Sequence, residues 1–268
     1  MQPPAAGEVH VWRFSLAVCA SRAARLEHVL SAAENARAAR FRFERDRQRF
    51  VVGRALYRGV LARYAGVSPA ALPLTSVFGE KPGCEIAPCA HNLSHAHELG
   101  LLAVAASGEL GVDVDFIERH VDLPAIAPSA LTPREHAAWK ALSSHEQRPA
   151  FFSVWTRKEA VLKATGDRKA FEFREFEVGL RADAIATAEA AGAALGGTWK
   201  LATFAPAEGY CAAIALRATE DRRSAEHRHA AEPLALRLLR DDDDDRLRVG
   251  GDAAGPLDLA DRGLDFVH

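Results

Sequence analysis

The chain predicts an α+β fold, and three observations lead there. Segments with the 3.6-residue apolar period of helices are interleaved with short segments that alternate apolar and polar, the period of strands. Several of these strand-like segments face each other across tight turns and read as antiparallel hairpins. Finally, 268 residues, 49% hydrophobic and 26% charged, suffice to bury a sizeable core in one or two domains.

The elements follow in order. Trp12, Phe14, Leu16 and Val18 alternate with Val11, Arg13, Ser15 and Ala17, which gives a half-buried edge or hairpin strand. Residues 21–40 and 46–65 carry helical patterns, the second through Phe50, Leu56, Tyr57, Val60, Leu61 and Tyr64, before the loop signalled by Gly66, Pro69 and Pro73. Leu99 to Ala105 and Leu110 to Asp115 read as adjacent strands of a hairpin turned at Ser107-Gly108-Glu109. Past Pro124 and Pro128, Thr132-Pro133-Arg134-Glu135 is a helix start, with Thr as cap, Pro at the first helical position and Glu closing a capping box. A helix carrying Trp155 ends near Gly166; Phe176, Val178 and Leu180 alternate; residues 198–205 and 210–216 form a second hairpin. After about Thr219 the texture changes, and the acidic run Asp241 to Asp245 is that of a solvated, disordered extension, because five like charges repel one another.

Composition excludes some function classes. A net charge of −2 argues against a general nucleic-acid binder, which shows a basic excess. Cys19, Cys84, Cys89 and Cys211 make no Cys-x-x-Cys pair, and a reducing cytoplasm is the simplest setting for them. Neither a signal segment nor a stretch of eighteen apolar residues is present, so the sequence points away from secretion and membrane insertion.

Two stretches carry the chemistry: Gly111-Val112-Asp113-Val114-Asp115, and Trp155 through Lys163. On a strand Asp113 and Asp115 share a face while Val112 and Val114 pack beneath. On a helix Phe151, Trp155, Glu159 and Leu162 fall within one arc, so Glu159 sits on the apolar side, flanked by Lys158 and Lys163. If Glu159 approaches the two aspartates, repulsion at about 4 Å is roughly 4 kcal/mol per pair at an effective dielectric near 20, and a hard dication relieves it. All-oxygen donors favour Mg2+ or Mn2+ over zinc. Taken singly, an Asp-x-Asp on a solvated strand face and a Lys-Glu-Ala in an ordinary helix explain the same residues.

These residues resemble the 4′-phosphopantetheinyl transferases of the larger, Sfp-type class. Residues 111–115 are similar to that family's Gly-Ile-Asp-Ile-Glu block, and residues 155–163 to its Trp-x-x-Lys-Glu-Ala-x-x-Lys block. Phe78-Gly79-Glu80-Lys81-Pro82 is similar to its Gly-Lys-Pro turn with one extra residue, Asn92-Leu93-Ser94-His95 to its Asn-Ile-Ser-His segment, and Phe41, Asp46, Arg49 and Gly53 to its basic helix. The blocks keep their order across residues 10–216. Where many family members carry Glu, this chain has Asp115, one methylene shorter, whose metal contact can run through water.

The resemblance implies two similar α+β halves related by a pseudo-twofold, residues 1–117 and 118–218, with an active site in the cleft between them and a tail, 219–268. It implies Mg2+-dependent transfer of the phosphopantetheine arm of coenzyme A to a serine of an acyl or peptidyl carrier protein, with release of adenosine 3′,5′-bisphosphate, by a monomer. Asp113, Asp115 and Glu159 are then the metal ligands; Lys158 and Lys163 neighbour the diphosphate; and Glu159 is the candidate general base. Arg49, Lys81, Asn92, Ser94 and His95 are the remaining coenzyme A contacts, with Arg37 a further candidate, because arginine engages phosphate bidentately and lysine as a point charge. His91, His95 and His97 are alternatively spaced for a transition metal or as ordinary loop histidines. Two rival readings stand beside this one: a coenzyme A-binding scaffold of the same fold without transfer, and an unrelated Mg2+-dependent phosphohydrolase built on Asp-x-Asp.

Overall fold

The computed structural model describes residues 1–17, 20–75, 83–84, 86–87, 89–166, 172–180, 186–188, 199–217 and 235–240. The elements run β1 (Glu8–Ser15), α1 (Ala20–Leu26), α2 (Ala32–Ala38), α3 (Glu44–Ala65), β2 (Leu74–Thr75), β3 (Gly83–Cys84), β4 (Ala90–Ala96), β5 (Leu99–Ala105) and β6 (Glu109–Phe116). They continue as α4 (Leu123–Ala130), α5 (Pro133–Lys140), α6 (Ser144–Thr165), β7 (Ala186–Ala188), β8 (Trp199–Phe204), β9 (Tyr210–Arg217) and β10 (Ala235–Arg240). One sheet has the order β10-β1-β5-β4 and a second the order β6-β9-β8-β7; β2 and β3 pair separately.

Side-chain alternation builds four layers from these pieces. On β1 and β5, Trp12, Phe14, Leu102 and Val104 face α3 and bury with its Val51, Ala55 and Leu61. The opposite face, Val9, Val11, Leu101 and Ala103, meets Val112, Val114, Ile214 and Leu216 of the second sheet. The far face of that sheet, with Trp199, Leu201, Ala213 and Ala215, packs on Phe151, Val154 and Val161 of α6. The stack is helix, sheet, sheet, helix, and each fully buried Val, Leu or Phe in it contributes about 1.5–3 kcal/mol.

The two sheets repeat a plan. Strands β1-β5-β4 and β6-β9-β8 occupy the same order, and each sheet is covered by a helix of 22 residues. Both helices end on a left-handed glycine, Gly66 at φ 69 and Gly166 at φ 79, which a residue with a Cβ adopts only with strain. Each also neutralises a buried capping-box glutamate from the short helix before it. Glu34 of α2 accepts from Arg54 and Arg58 at 2.7 Å, and Glu135 of α5 accepts from Lys158 at 2.5 Å. The Thr132-Glu135 box predicted from sequence is present, with Pro133 opening α5.

Three expectations change. The segments 99–105 and 110–115 do not form a hairpin: β5 pairs with β1 and β4, whereas β6 pairs antiparallel with β9, Asp113 opposite Ala213 and Asp115 opposite Cys211. Strand β6 therefore opens the second sheet as β1 opens the first, and a division at residue 117 cuts it from its partners. Nor is β1 an edge strand, since β10 pairs with it in parallel, Glu8 opposite Ala235 through Arg13 opposite Arg240. Part of the expected tail is thus sheet. The acidic run 241–245 lies outside the described residues. Finally, Phe176 and Val178 are buried in the α6 core without forming a strand.

Among the described residues no helix is long and apolar enough to cross a membrane. Cys84, Cys89 and Cys211 are free thiols, and Cys19 lies outside the described residues.

Candidate active site

The site is built where β4, β6 and α6 meet. Edge strand β4 of the first sheet lies beside edge strand β6 of the second, and Asn92 Oδ1 accepts a hydrogen bond from Val112 N at 2.9 Å across the seam. From the other side α6 presses its backbone onto β6. A Cβ on Gly111 would stand 1.9 Å from Ala160 O and 2.7 Å from Ala164 N, so only glycine permits this approach. Fixing Ala160 and Ala164 over Gly111 places Lys163 over Asp113. Lys163 Nζ donates to Asp113 Oδ1 at 2.5 Å and to Ser94 Oγ at 2.8 Å, and Ser94 Oγ donates to Asp113 Oδ1 at 3.0 Å. Three of the sequence blocks therefore converge on one carboxylate that is 6% exposed.

Asp115, two residues along the same face, is held differently. Its Oδ2 pairs with Arg119 Nη2 at 2.9 Å and its Oδ1 accepts Phe116 N at 2.8 Å. Loss of solvation outweighs these partners, with the Asp113 charge adding to it, and holds the Asp115 carboxyl above the usual aspartate range. Arg119 also lies over the rings of Phe152, at 5.3 Å, and Trp155, at 5.9 Å. Sequence reading passed over it, because the four-residue interval from Asp115 signals an ion pair only on a helix and here leaves a strand.

Glu159 is half-buried on α6, one helical turn before Lys163 and one after Trp155. Its neighbour on that face, Thr156, contacts Cys211 Sγ at 3.7 Å, and Cys211 pairs with Asp115. Glu159 therefore belongs to the stretch of α6 between the contacts to Asp113 and to the Asp115 pair. Among the described residues no group of three or more His, Cys, Asp and Glu stands in a metal-holding arrangement, and His91, His95 and His97 form none. Here Asp113 and Asp115 carry Lys163 and Arg119 as their cations. As a donor set they remain all-oxygen, two carboxylates on one strand face, and this suits a hard dication in kind.

His95 stands at the rim. It is exposed by area but recessed among protein atoms. Partial desolvation first, then the charges of Lys163 and Arg49, hold its imidazole below the ordinary value, with Asp113 opposing them. Arg49, one-quarter exposed on α3, lies 3.8 Å from Glu98. The structure thus gathers Arg49, Ser94, His95, Asp113 and Lys163. His91 instead turns to α3, where Tyr57 shares a 2.9 Å hydrogen bond with it, and Arg37 lies over Phe50 at 5.1 Å. Lys81 falls outside the described residues.

Lys158 is a correction. It is fully buried on the other side of α6, where its ammonium donates to Ala130 O at 3.1 Å, Glu135 Oε2 at 2.5 Å and Phe173 O at 2.6 Å. With three acceptors for three protons it is committed to the core and does not face the Asp113 side. Desolvation lowers its pKa, while Glu135 supports its charge. Trp155 packs between Phe151 and Phe173.

Residues 109–215 match the 4′-phosphopantetheinyl transferase superfamily. The 4′-phosphopantetheinyl transferase HetI of Nostoc sp. is 35% identical over 213 residues, which cover 78% of this chain and 87% of the relative. The chain belongs to the 4′-phosphopantetheinyl transferase superfamily. A further relative of the transferase is psf-1 of Bacillus pumilus, 30% identical over 60% of this chain and 69% of its own length. Another is AcpT of Salmonella typhimurium, 36% identical over 34% of this chain and 48% of its own. The part of the transferase matched by the family runs from β6 through β9, the sheet and helix that carry Asp113, Asp115, Glu159 and Lys163.

Proposed function

We propose that the protein transfers the 4′-phosphopantetheine arm of coenzyme A to the hydroxyl of a carrier-protein serine and releases adenosine 3′,5′-bisphosphate. The observation that carries this is the convergence of Lys163, Ser94 and Asp113. It draws residues of β4, β6 and α6 to one point, in a chain whose relatives carry the transferase name. Both sheets contribute from a single chain, so the reading needs no second copy. On this reading the repeated plan of the sheets is a pseudo-twofold, and the site lies in the cleft at its centre.

Asp113, Asp115 and Glu159 are the residues that would hold Mg2+, or Mn2+. When bound, the metal supplies charge neutralisation to the diphosphate as negative charge builds on the leaving bisphosphate. Lys163 is held in position by Ser94 and by helix packing at Gly111, and it offers an ammonium to the same developing charge, a preorganised donor of the kind worth most where water is excluded. His95 and Arg49 form a cationic rim for the nucleotide phosphates. Glu159, on the same face as Lys163, takes the serine proton as general base.

The test is to incubate the purified chain with coenzyme A, Mg2+ and an apo-carrier domain and to weigh the carrier. A phosphopantetheine adduct is expected, and Glu159→Gln should abolish it while leaving the circular dichroism spectrum intact. Unmodified carrier with bound coenzyme A would favour the scaffold reading, and free phosphate without an adduct would favour hydrolysis. Normal transfer by the Gln variant would remove Glu159 from its role.

A further inference from the structure

A second concentration of charge lies away from the Asp113 centre. Between residues 37 and 46 the chain carries Arg37, Arg40, Arg42 and Arg45 against two acids, Glu44, engaged by Arg47 at 3.2 Å, and Asp46, 3.7 Å from Arg45 Nε. Arg40 and Arg42 are exposed, as is Arg45, whose side chain is 75% exposed. Interleaved with them are Phe43, 60% exposed with Arg42 over its ring at 5.4 Å, and Phe41, 37% exposed. The whole molecule is slightly acidic, so this cationic collar at the start of α3 is a local feature that the fold of the core does not need.

The direction of the strands shows what can reach it. Tyr64 bonds His10 and Trp12, and Leu16 lies against Gly53, so α3 runs antiparallel to β1 and its first turns overhang the end of the sheet beyond Leu16. Strand β10 is parallel to β1 and ends with Arg240 level with Arg13, pointing the same way. Five aspartates, Asp241–Asp245, follow at once. Along the strand axis Arg45 lies about 22 Å beyond Arg240, about 10 Å of strand plus about 12 Å of helix. Five extended residues span about 17 Å, and the arginine side chain covers the remainder.

We propose that the arginine collar at the start of α3 is a docking surface for the chain's own acidic segment, Asp241–Asp245. Tethering by β10 sets an effective concentration on the order of millimolar, enough for weak exposed ion pairs to be populated. Arg49 continues the collar toward His95, so a docked segment also competes with anionic substrate there, a consequence that rests on the proposed function.

The experiment compares the full chain with a variant carrying Asp241→Asn through Asp245→Asn, treating both with phenylglyoxal and reading each arginine by peptide mass spectrometry. At low salt Arg40, Arg42 and Arg45 should react about threefold faster in the variant, the worth of one or two exposed ion pairs. The difference should close at about 0.5 M salt, where the Debye length is about 4 Å. Arg217, held by Glu109, serves as the unchanged reference. Equal rates at low salt overturn the proposal. Calorimetry with coenzyme A reads the competition, with tighter binding expected for the variant at low salt. If neither chain binds coenzyme A, the proposed function fails, while the arginine rates still decide the docking.

Discussion

Asp113 and Asp115 show how two identical side chains on one strand face acquire different roles. Asp113 accepts from Lys163 and Ser94, while Asp115 is left with desolvation stronger than the help it receives from Arg119. An acid whose pKa is raised by folding is stabilising only in its protonated form. Its contribution is present below the ordinary aspartate value and is lost as pH rises through the raised one. At neutral pH Asp115→Asn should therefore leave the thermal midpoint unchanged or raised, while Mg2+ affinity measured by calorimetry falls. A clear drop in the midpoint would contradict this account of the site. His95 carries the opposite linkage. Its pKa is lowered in the fold, so below about pH 6.5 the unfolded chain binds a proton that the native chain resists, and stability declines as the solution is acidified through that window. His10, also lowered, shares the window, so His95→Asn should remove only part of the slope. Bound phosphate favours the imidazolium, and coenzyme A binding near pH 6.5 should take up a proton, seen as a heat that varies with the buffer's ionisation enthalpy and is diminished in His95→Asn.

At the scale of elements, α6 has two faces with separate tasks. Lys163 reaches Asp113 on β6, whereas Lys158 closes a buried node with Glu135, Ala130 and Phe173. Removing the ammonium leaves the Glu135 carboxylate, 2% exposed, without its cation, at a cost of about 3–5 kcal/mol. Lys158→Met should accordingly lower the urea midpoint strongly. Lys163→Met takes a partly exposed cation from Asp113, which keeps its Ser94 hydrogen bond, so it should lower the midpoint less than Lys158→Met and lose transfer. Equal losses of stability would mean that the division of the helix is wrong. Periodicity made this helix readable from sequence, and the run Lys158-Glu159 suggested a common site. A helix turns by 100° per residue, however, and only the position of α5 shows which of the two lysines is taken inward.

At the scale of the molecule, β10 closes the exposed side of β1. A chain ending after Arg240 should keep the parent's thermal midpoint, and one ending before Ala235 should have a lower midpoint and a concentration-dependent tendency to associate by light scattering, because it uncovers a row of unpaired backbone groups. An unchanged midpoint and no association in the shorter chain would show that the parallel pairing contributes nothing. Local alternation identified β1, the hairpin of β8 and β9, the capped start of α5 and the two blocks bearing Asp113 and Lys163. These signals arise from contacts between residues near in sequence, or from side-chain period alone. The same alternation made β5 and β6 look like a hairpin, since a short turn and two apolar runs fit either pairing with each other or departure into separate sheets.

What the sequence determined by itself was the type of each long element, the α+β class and the identity of the chemistry-bearing blocks, because period, caps and residue types are local properties. Tertiary structure alone decided that β6 opens the second sheet and that Gly111 admits the backbone of α6. It alone also decided that Lys163 lies over Asp113 while Lys158 is buried beneath the helix. Those outcomes depend on which surfaces meet across the chain, and close packing of distant segments leaves no period by which to read it.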